Sequence, residues 1–324
     1  MPTLLQLTPV RPDLQGALQE RYTVHRFDQV TDQAAWLAAH AGEVDAVVTG
    51  GGNGIAASLM KALPKLRIVA INGVGFDKVD LAAARAQGVR VTNTPDVLTD
   101  DVADLAVGLT IALLRRIPQA NAHVRAGLWP QSERPLARKV SGKHFGILGL
   151  GRIGKEVAIR ARAFGMEPVG YDIYWDDAFA RQYGVRRAAT LDEIFAVSDY
   201  LSLHTNLTPE TRDLVGAKNI AKMKQGVLIL NCARGEIVNT DDMVAALKSG
   251  RVGGYGTDVL DQEPPPPDHP LLHLPNCIVT PHVASRTFES VVRQATTSVQ
   301  NLLNAARGEK PIAQVNPEVP VRPL

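Results

Sequence analysis

Residues 143–154 read Lys-His-Phe-Gly-Ile-Leu-Gly-Leu-Gly-Arg-Ile-Gly, an apolar run that passes directly into Gly149-x-Gly151-x-x-Gly154. No other stretch restricts the fold so tightly. The run predicts a buried strand, the glycines a sharp turn, and the Ala- and Arg-rich residues after them an amphipathic helix. Each glycine has a separate job: Gly149 permits the turn, Gly151 lets the backbone approach a pyrophosphate, and Gly154 lets the helix sit close to the strand. The helix N-terminus then offers unpaired N–H groups and a positive dipole end to phosphate. A second apolar run ends at Tyr171-Asp172, about 20 residues on, where a carboxylate can take the ribose hydroxyls of a dinucleotide. Arg152 and Ile153 fill the turn between the last two glycines.

At 324 residues the chain exceeds one comfortable core, so two domains are expected. With 45 % apolar and 21 % charged residues it is globular and not disordered. A net charge of +2 gives no electrostatic case for a nucleic-acid partner. Cys232 and Cys277 are the only cysteines and show no metal-ligand spacing, so neither a disulfide framework nor a metal site is expected. No apolar run reaches the roughly 18 residues of a membrane helix, and the N-terminus lacks a signal-peptide pattern, so a cytoplasmic protein without membrane contact is expected.

Before the glycine motif, short β-branched or Leu-rich runs at 4–7, 23–27, 46–49, 66–71 and 89–92 alternate with helical stretches at 31–40, 55–62 and 79–87. That alternation predicts a parallel sheet with crossover helices. Two of these strands end in glycine, at Thr49-Gly50-Gly51-Gly52 and at Asn72-Gly73-Val74-Gly75, and ligands in open α/β sheets sit beyond the carboxyl ends of strands. A long helix is expected over 100–116, ended or kinked at Ile117-Pro118. Its apolar circumference predicts burial between domains or against a second copy, hence a homodimer. A loop follows at 127–138. After the glycine motif, four runs at 199–204, 227–231, 254–259 and 277–282 read as buried parallel strands, with His204, Arg234, Asp258 and His282 at their carboxyl ends. From Arg286 a helical pattern returns, and the Pro- and Val-rich tail at 311–324 is expected to run back over the first domain. The expected fold is therefore α/β, with two doubly wound parallel sheets. Residues 1–98 with 286–324 form a discontinuous substrate domain, and residues 99–285 form a nucleotide domain.

A nicotinamide cofactor moves hydride but does not supply the accompanying proton or orient the substrate. Arg234, in Asn231-Cys232-Ala233-Arg234-Gly235, suits a carboxylate, because its planar guanidinium can grip both oxygens. A proton carrier near neutral pH calls for histidine. His25, His40, His123 and His144 lie away from the rim, and His269 and His273 read as loop residues after the proline run. His204 and His282 remain, and spacing does not separate them. Glu263, ahead of Pro264, is a candidate carboxylate partner for the histidine. Cys232 reads as a small buried residue and not as a nucleophile.

With Arg234, Glu263 and His282 in this order, the chain resembles the D-isomer-specific 2-hydroxyacid dehydrogenase family nearly end to end. The resemblance covers residues 72–80, 94–104, the glycine motif, 231–235, 258–264 and Thr280-Pro-His282-Val-Ala-Ser285. It implies a Rossmann nucleotide-binding domain and a flavodoxin-like substrate domain. It also implies that Arg234 binds the substrate carboxylate and carbonyl, that His282 is the proton donor, and that Glu263 pairs with it. Gly51, Val74 and Gly75 would join Arg234 at the substrate. Gly149, Gly151, Arg152, Ile153, Gly154, Asp172, His204, Cys232, Ala233, Asp258 and Ser285 would surround the cofactor.

Within the family, residues 97–108 with Leu114-Arg-Arg-Ile most resemble the glyoxylate and hydroxypyruvate reductases. The chain lacks the further C-terminal domain of serine-regulated phosphoglycerate dehydrogenases, and formate dehydrogenase would call for glutamine at 263. Many of the reductases that use NADPH carry a small polar residue and then arginine after the second strand, whereas this chain has Asp172, which would repel a 2′-phosphate. NAD is thus expected over NADP. Phosphite or sugar-acid oxidation on the same scaffold is the alternative substrate reading, with Arg286 near the expected pocket. A non-catalytic NAD-sensing, corepressor-like protein is the other, and the long flanking tails expected of it are missing.

Overall fold

Short apolar runs separated by helical segments pair in parallel through crossovers, and the helices then cover both sheet faces. The computed structural model describes residues 1–131, 136–321 and 324. They divide into two units, Met1–Leu98 with Phe288–Leu324, and Thr99–Thr287. Of the loop expected at 127–138, residues 132–135 lie outside the described residues, as do 322 and 323 of the tail.

The first unit contains β1 (Thr3–Gln6), α1 (Pro12–Gln19), β2 (Thr23–Arg26), α2 (Gln33–His40), β3 (Val44–Gly50), α3 (Ala57–Ala62), β4 (Ile68–Asn72), α4 (Leu81–Gln87) and β5 (Arg90–Thr92). Its five strands are all parallel, in the order β2-β1-β3-β4-β5, which is the flavodoxin-like arrangement. On one face Leu5, Val47, Val69, Ile71 and Val91 meet Met60, Leu63 and Ala84. The other face carries Leu4, Ala46, Val48, Ile68 and Ala70.

The second unit runs through α5 (Thr99–Arg115), α6 (Ile117–Arg125), β6 (His144–Leu148), α7 (Arg152–Ala163), β7 (Glu167–Tyr171), α8 (Asp177–Tyr183) and β8 (Arg186–Arg187). It continues with α9 (Leu191–Val197), β9 (Tyr200–Leu203), α10 (Ala217–Ile220), β10 (Val227–Asn231), α11 (Thr240–Lys248), β11 (Val252–Thr257) and β12 (Cys277–Val279). The strand order is β12-β11-β10-β9-β6-β7-β8, a Rossmann sheet with one further strand at its edge. The order reverses between β6 and β9, the position where such sheets receive a ligand.

Helix α5 ends where Arg116 takes a left-handed conformation (φ 52°, ψ 41°), and Pro118 then opens α6. A proline costs nothing in a first turn, where its missing N–H has no helical partner, so the residues after the break form a second helix that the sequence reading did not place. The apolar face of α5 is used inside its own unit: Leu109 and Leu113 cover Gly256, and Ala106 and Val107 join the β6–α7 core. Its hydrophobicity therefore no longer calls for a second copy. The strands expected to reach His204, Val259 and His282 stop at Leu203, Thr257 and Val279. The residues beyond them leave the sheet and form loops.

The last helix, α12 (Phe288–Ala306), returns to the first unit. Val299, Leu302 and Ala305 cover the second face of its sheet, and Tyr22 donates its hydroxyl to the Leu302 carbonyl at 2.5 Å. The tail then lies against β5. Val315 donates to the Val91 carbonyl at 2.8 Å, and buried Asn316 accepts from the Val91 N–H at 2.8 Å while donating to the Val89 carbonyl at 2.9 Å. Asn316→Ala would leave both backbone groups buried and unpaired, a loss of about 2–4 kcal/mol. Urea unfolding checks this, and an unchanged midpoint would contradict it.

Candidate active site

The turn after β6 is closed at two of its glycines and open at the third. Gly149 has φ +95°, and a Cβ there would lie 2.6 Å from the His204 carbonyl oxygen. A Cβ at Gly154 would lie 2.0 Å from the Gly149 oxygen. Both positions admit only glycine, one for strand-to-strand approach at the reversal point and one for seating α7 on β6. At Gly151, the residue before α7, nothing lies within 4 Å of such a Cβ. The first turn of α7 has neither an acidic residue nor a side-chain cap, and a helix N-terminus of this kind suits an anion. Arg152 is exposed there. Ile153 turns its side chain into the core, which leaves its N–H as the group it offers.

Asp172 lies just past β7. Its Oδ2 accepts the Leu150 N–H at 2.6 Å and its Oδ1 accepts the Tyr174 N–H at 2.7 Å. The carboxylate is thereby fixed beside the glycine turn with acceptor capacity to spare, since each ionised oxygen can take a further donor. Open backbone at Gly151, a helix N-terminus and an oriented acid together fit a dinucleotide.

The two candidate histidines have opposite surroundings. His204, just past β9, shares a 2.7 Å hydrogen bond between its Nε2 and the Ser202 hydroxyl, and its Nδ1 is buried without a hydrogen-bond partner among the described residues. Burial lowers its pKa to about 4, so the ring is neutral at pH 7. His282 is 41 % exposed in its side chain, and its Nδ1 lies 2.7 Å from Glu263 Oε2. The hydrogen bond to Glu263 raises its pKa above the ordinary histidine value, Asp258 adds to this, and burial and Arg234 work against it. Of the two, His282 is the one whose surroundings favour the protonated ring.

Two loops hold that ring. Asp258, 1 % exposed, accepts the Thr280 hydroxyl (2.6 Å) and the Val283 N–H (2.9 Å) on Oδ1, and the Ala284 N–H (2.8 Å) on Oδ2. Its backbone carbonyl accepts the His282 N–H at 2.9 Å. The loop so gripped places His282 at φ +52°, a left-handed conformation that non-glycine residues seldom adopt. Asp258, expected beside the cofactor, thus has its described hydrogen bonds turned inward to this loop. Glu263 is held by its other oxygen, Oε1, which accepts the Leu260 N–H at 2.9 Å.

Arg234 follows β10 in a turn fixed by buried Asn231, which accepts the Ala233 N–H at 3.0 Å and donates to the Arg234 carbonyl at 2.8 Å. Its own Nη1 donates to the Ala233 carbonyl at 2.6 Å. A Cβ at Gly235 would lie 2.0 Å from the Leu260 carbonyl carbon. The Arg234 turn and the Glu263 loop are therefore seated on each other. Burial and the Asp258 charge push the Cys232 thiol upward, which favours its protonated, less reactive form. Ser285 is half-buried and Arg286 exposed on the same loop as His282.

In the first unit the two glycine-terminated strands bring their turns together. A Cβ at Gly51 would touch the Gly75 carbonyl at 3.4 Å, and one at Gly73 (φ +145°) would touch the Gly51 Cα at 3.2 Å. The Val74 carbonyl accepts from Asn93 Nδ2 at 2.9 Å. His269 lies in a loop as expected, yet it is only 5 % exposed and pairs with Asp261 at 3.1 Å. An acid and a histidine flanking a run of four prolines was the signal for it. Among the described residues no group of His, Cys, Asp and Glu could hold a metal ion, and no helix is long and apolar enough to cross a membrane.

Residues 107–284 match the model of the D-isomer specific 2-hydroxyacid dehydrogenase NAD-binding domain. A glyoxylate reductase of Korarchaeum cryptofilum is 41 % identical over 87 % of this chain and 86 % of its own. A hydroxyphenylpyruvate reductase of Plectranthus scutellarioides is 41 % identical over 92 % of this chain and 94 % of its own. The crystal structure of an NADPH-dependent glyoxylate/hydroxypyruvate reductase from Sinorhizobium meliloti, in complex with NADP and malonate, superposes with a TM-score of 0.88 at 32 % identity, covering 100 % of this chain and 99 % of that one. The nucleotide turn, the oriented acid and the raised histidine thus stand in a chain that belongs to the D-isomer-specific 2-hydroxyacid dehydrogenase family, an oxidoreductase with a nicotinamide cofactor.

Proposed function

We propose that this enzyme reduces a small 2-keto acid of the glyoxylate or hydroxypyruvate kind to the D-2-hydroxy acid, using NADH. The observation that carries the reading is the 2.7 Å pair of His282 Nδ1 and Glu263 Oε2, which leaves Nε2 to face a substrate. When bound, the dihydronicotinamide supplies hydride to the carbonyl carbon. His282 supplies the proton from Nε2 to the carbonyl oxygen, and Glu263 stabilises the imidazolium before transfer. Arg234 holds the carboxylate and polarises the carbonyl. Gly51, Val74 and Gly75 are proposed as substrate contacts. Gly149, Gly151, Arg152, Ile153 and Gly154 are proposed at the pyrophosphate, Asp172 at the adenosine ribose, and His204, Cys232, Ala233, Asp258 and Ser285 around the nicotinamide. The reductase names of the relatives favour keto acids over phosphite and over a non-catalytic sensor.

NAD is proposed over NADP because the Asp172 carboxylate, held by two backbone N–H groups, would meet a 2′-phosphate with like charge. The NADP-bound relative makes this the point to measure. A cytoplasmic setting is proposed from the two free thiols, Cys232 and Cys277. A homodimer is proposed too, now on exposed apolar side chains at and after α6: Ile117, Val124, Leu128 and Trp129.

His282→Ala should lower turnover by about 10²–10⁴-fold while NADH binding survives, as read by fluorescence titration; undiminished turnover would remove His282 from proton transfer. Asp172→Ala should narrow the preference for NADH in kcat/KM, and a wild-type enzyme that prefers NADPH would overturn the NAD assignment. Sedimentation should give twice the chain mass; a monomer would contradict the dimer.

A further inference from the structure

His269 has no part in the roles assigned above, yet it is only 5 % exposed between exposed neighbours, Asp268 and Pro270. Its backbone is fixed on both sides. The N–H donates to the Pro266 carbonyl and the carbonyl accepts the Leu272 N–H, each at 3.0 Å. It caps the short 3-10 turn Pro270–His273, whose Leu271 is 2 % exposed in the core. From this anchor its Nε2 lies 3.1 Å from Asp261 Oδ1.

Asp261 occupies the junction of the active-site loops. The Leu260 N–H before it holds Glu263 Oε1 at 2.9 Å. The Leu260–Asp261 peptide lies under Gly235, whose Cβ would be 2.3 Å from the Asp261 nitrogen. Residues 261–264, by contrast, are exposed. The loop that presents Glu263 is thus tied at one end by Asp258 and at the other by the Asp261–His269 link.

We propose that His269 is a positioning residue for the reaction: through Asp261 it fixes the loop that sets Glu263 against His282. The proposal rests on His282 being the proton donor. Burial tends to raise the Asp261 carboxyl, but His269 and the Thr240 side chain outweigh it and hold it below the ordinary carboxylate range. The aspartate is therefore ionised and available to His269. Facing His282 are Glu263, Asp258 and Arg234, and Glu263 has the largest effect on its protonation. Loosening the loop weakens that effect.

Reduction requires the imidazolium. Because Glu263 raises the His282 pKa, the fall of the rate on the alkaline side lies above the ordinary value, and losing Glu263 moves it to lower pH. The experiment follows kcat/KM for glyoxylate reduction against pH in the full chain for E263Q, H269L, H269Q and D261A, with NADH binding as the check on folding. E263Q should move the alkaline limb down. H269L and D261A should move it the same way by about half a pH unit, with NADH affinity within about twofold of wild type. H269Q, whose amide nitrogen can donate as the imidazole Nε2 does, should restore it. Asp261 is 41 % exposed in its side chain, so D261A keeps the test open if H269L does not fold. A limb that moves in E263Q but not in D261A overturns the proposal alone when H269L is also unmoved or unfolded. A limb that even E263Q leaves in place overturns the proton-donor reading, and this proposal with it.

Discussion

The Asp258 carboxylate has almost no contact with solvent, and burying it would be prohibitive without partners. One hydroxyl and two backbone N–H groups from residues 280–284 supply them. The requirement works in both directions: the charge needs the donors, and the donors belong to the one segment that must hold its histidine in a left-handed conformation. Such a conformation costs about 1–3 kcal/mol, which charge-assisted hydrogen bonds can offset. Glu263 then has a fixed ring to meet, and Arg234 is brought to the same neighbourhood because Gly235 admits the Leu260–Asp261 peptide. A single desolvated acid thus organises the loop that carries His282.

The surroundings of the two histidines show how one protein assigns different protonation states to one side-chain type. His204 hydrogen-bonds a neutral hydroxyl in a site that excludes water, so charging it would cost more than it returns. His282 gives up part of its hydration but gains a carboxylate at hydrogen-bonding distance. Distance from the glycine turn has little to do with the outcome; the partner decides it.

The large-scale architecture was legible because it rests on local chemistry. An apolar run ending in Gly149, Gly151 and Gly154 has few ways to fold, and the alternation of short strands with helices leaves only parallel sheets. What escaped sequence reading depended on contacts between distant residues. The strand expected at 277–282 stops at Val279: Thr280 still donates its N–H to Thr257 of β11, but Val283 and Ala284 donate theirs to the Asp258 carboxylate. Asp258 stands after the apolar run where the sequence places it, but no spacing could show that its carboxylate grips residues 280–284. His269 is the loop residue the sequence suggests, but its burial and its link to Asp261 were hidden because that partner lies across four prolines. The apolar face of α5 suggested an external partner because its real partners, the glycines of β11, leave a groove that composition does not reveal.

The closing of one sheet face by α12 bears on the order in which the molecule can be made. Strands β1–β5 leave the ribosome early, but the helix that covers Leu4, Ala46, Val48 and Ile68 begins only at Phe288. Throughout the synthesis of the second unit, which is continuous in sequence, that apolar face is covered only in part, by Leu14 and Leu18 of α1. The nascent chain is therefore exposed to aggregation for the time taken to translate nearly two hundred residues, about 10–40 s at ordinary elongation rates. The unit that begins first is the one that finishes last.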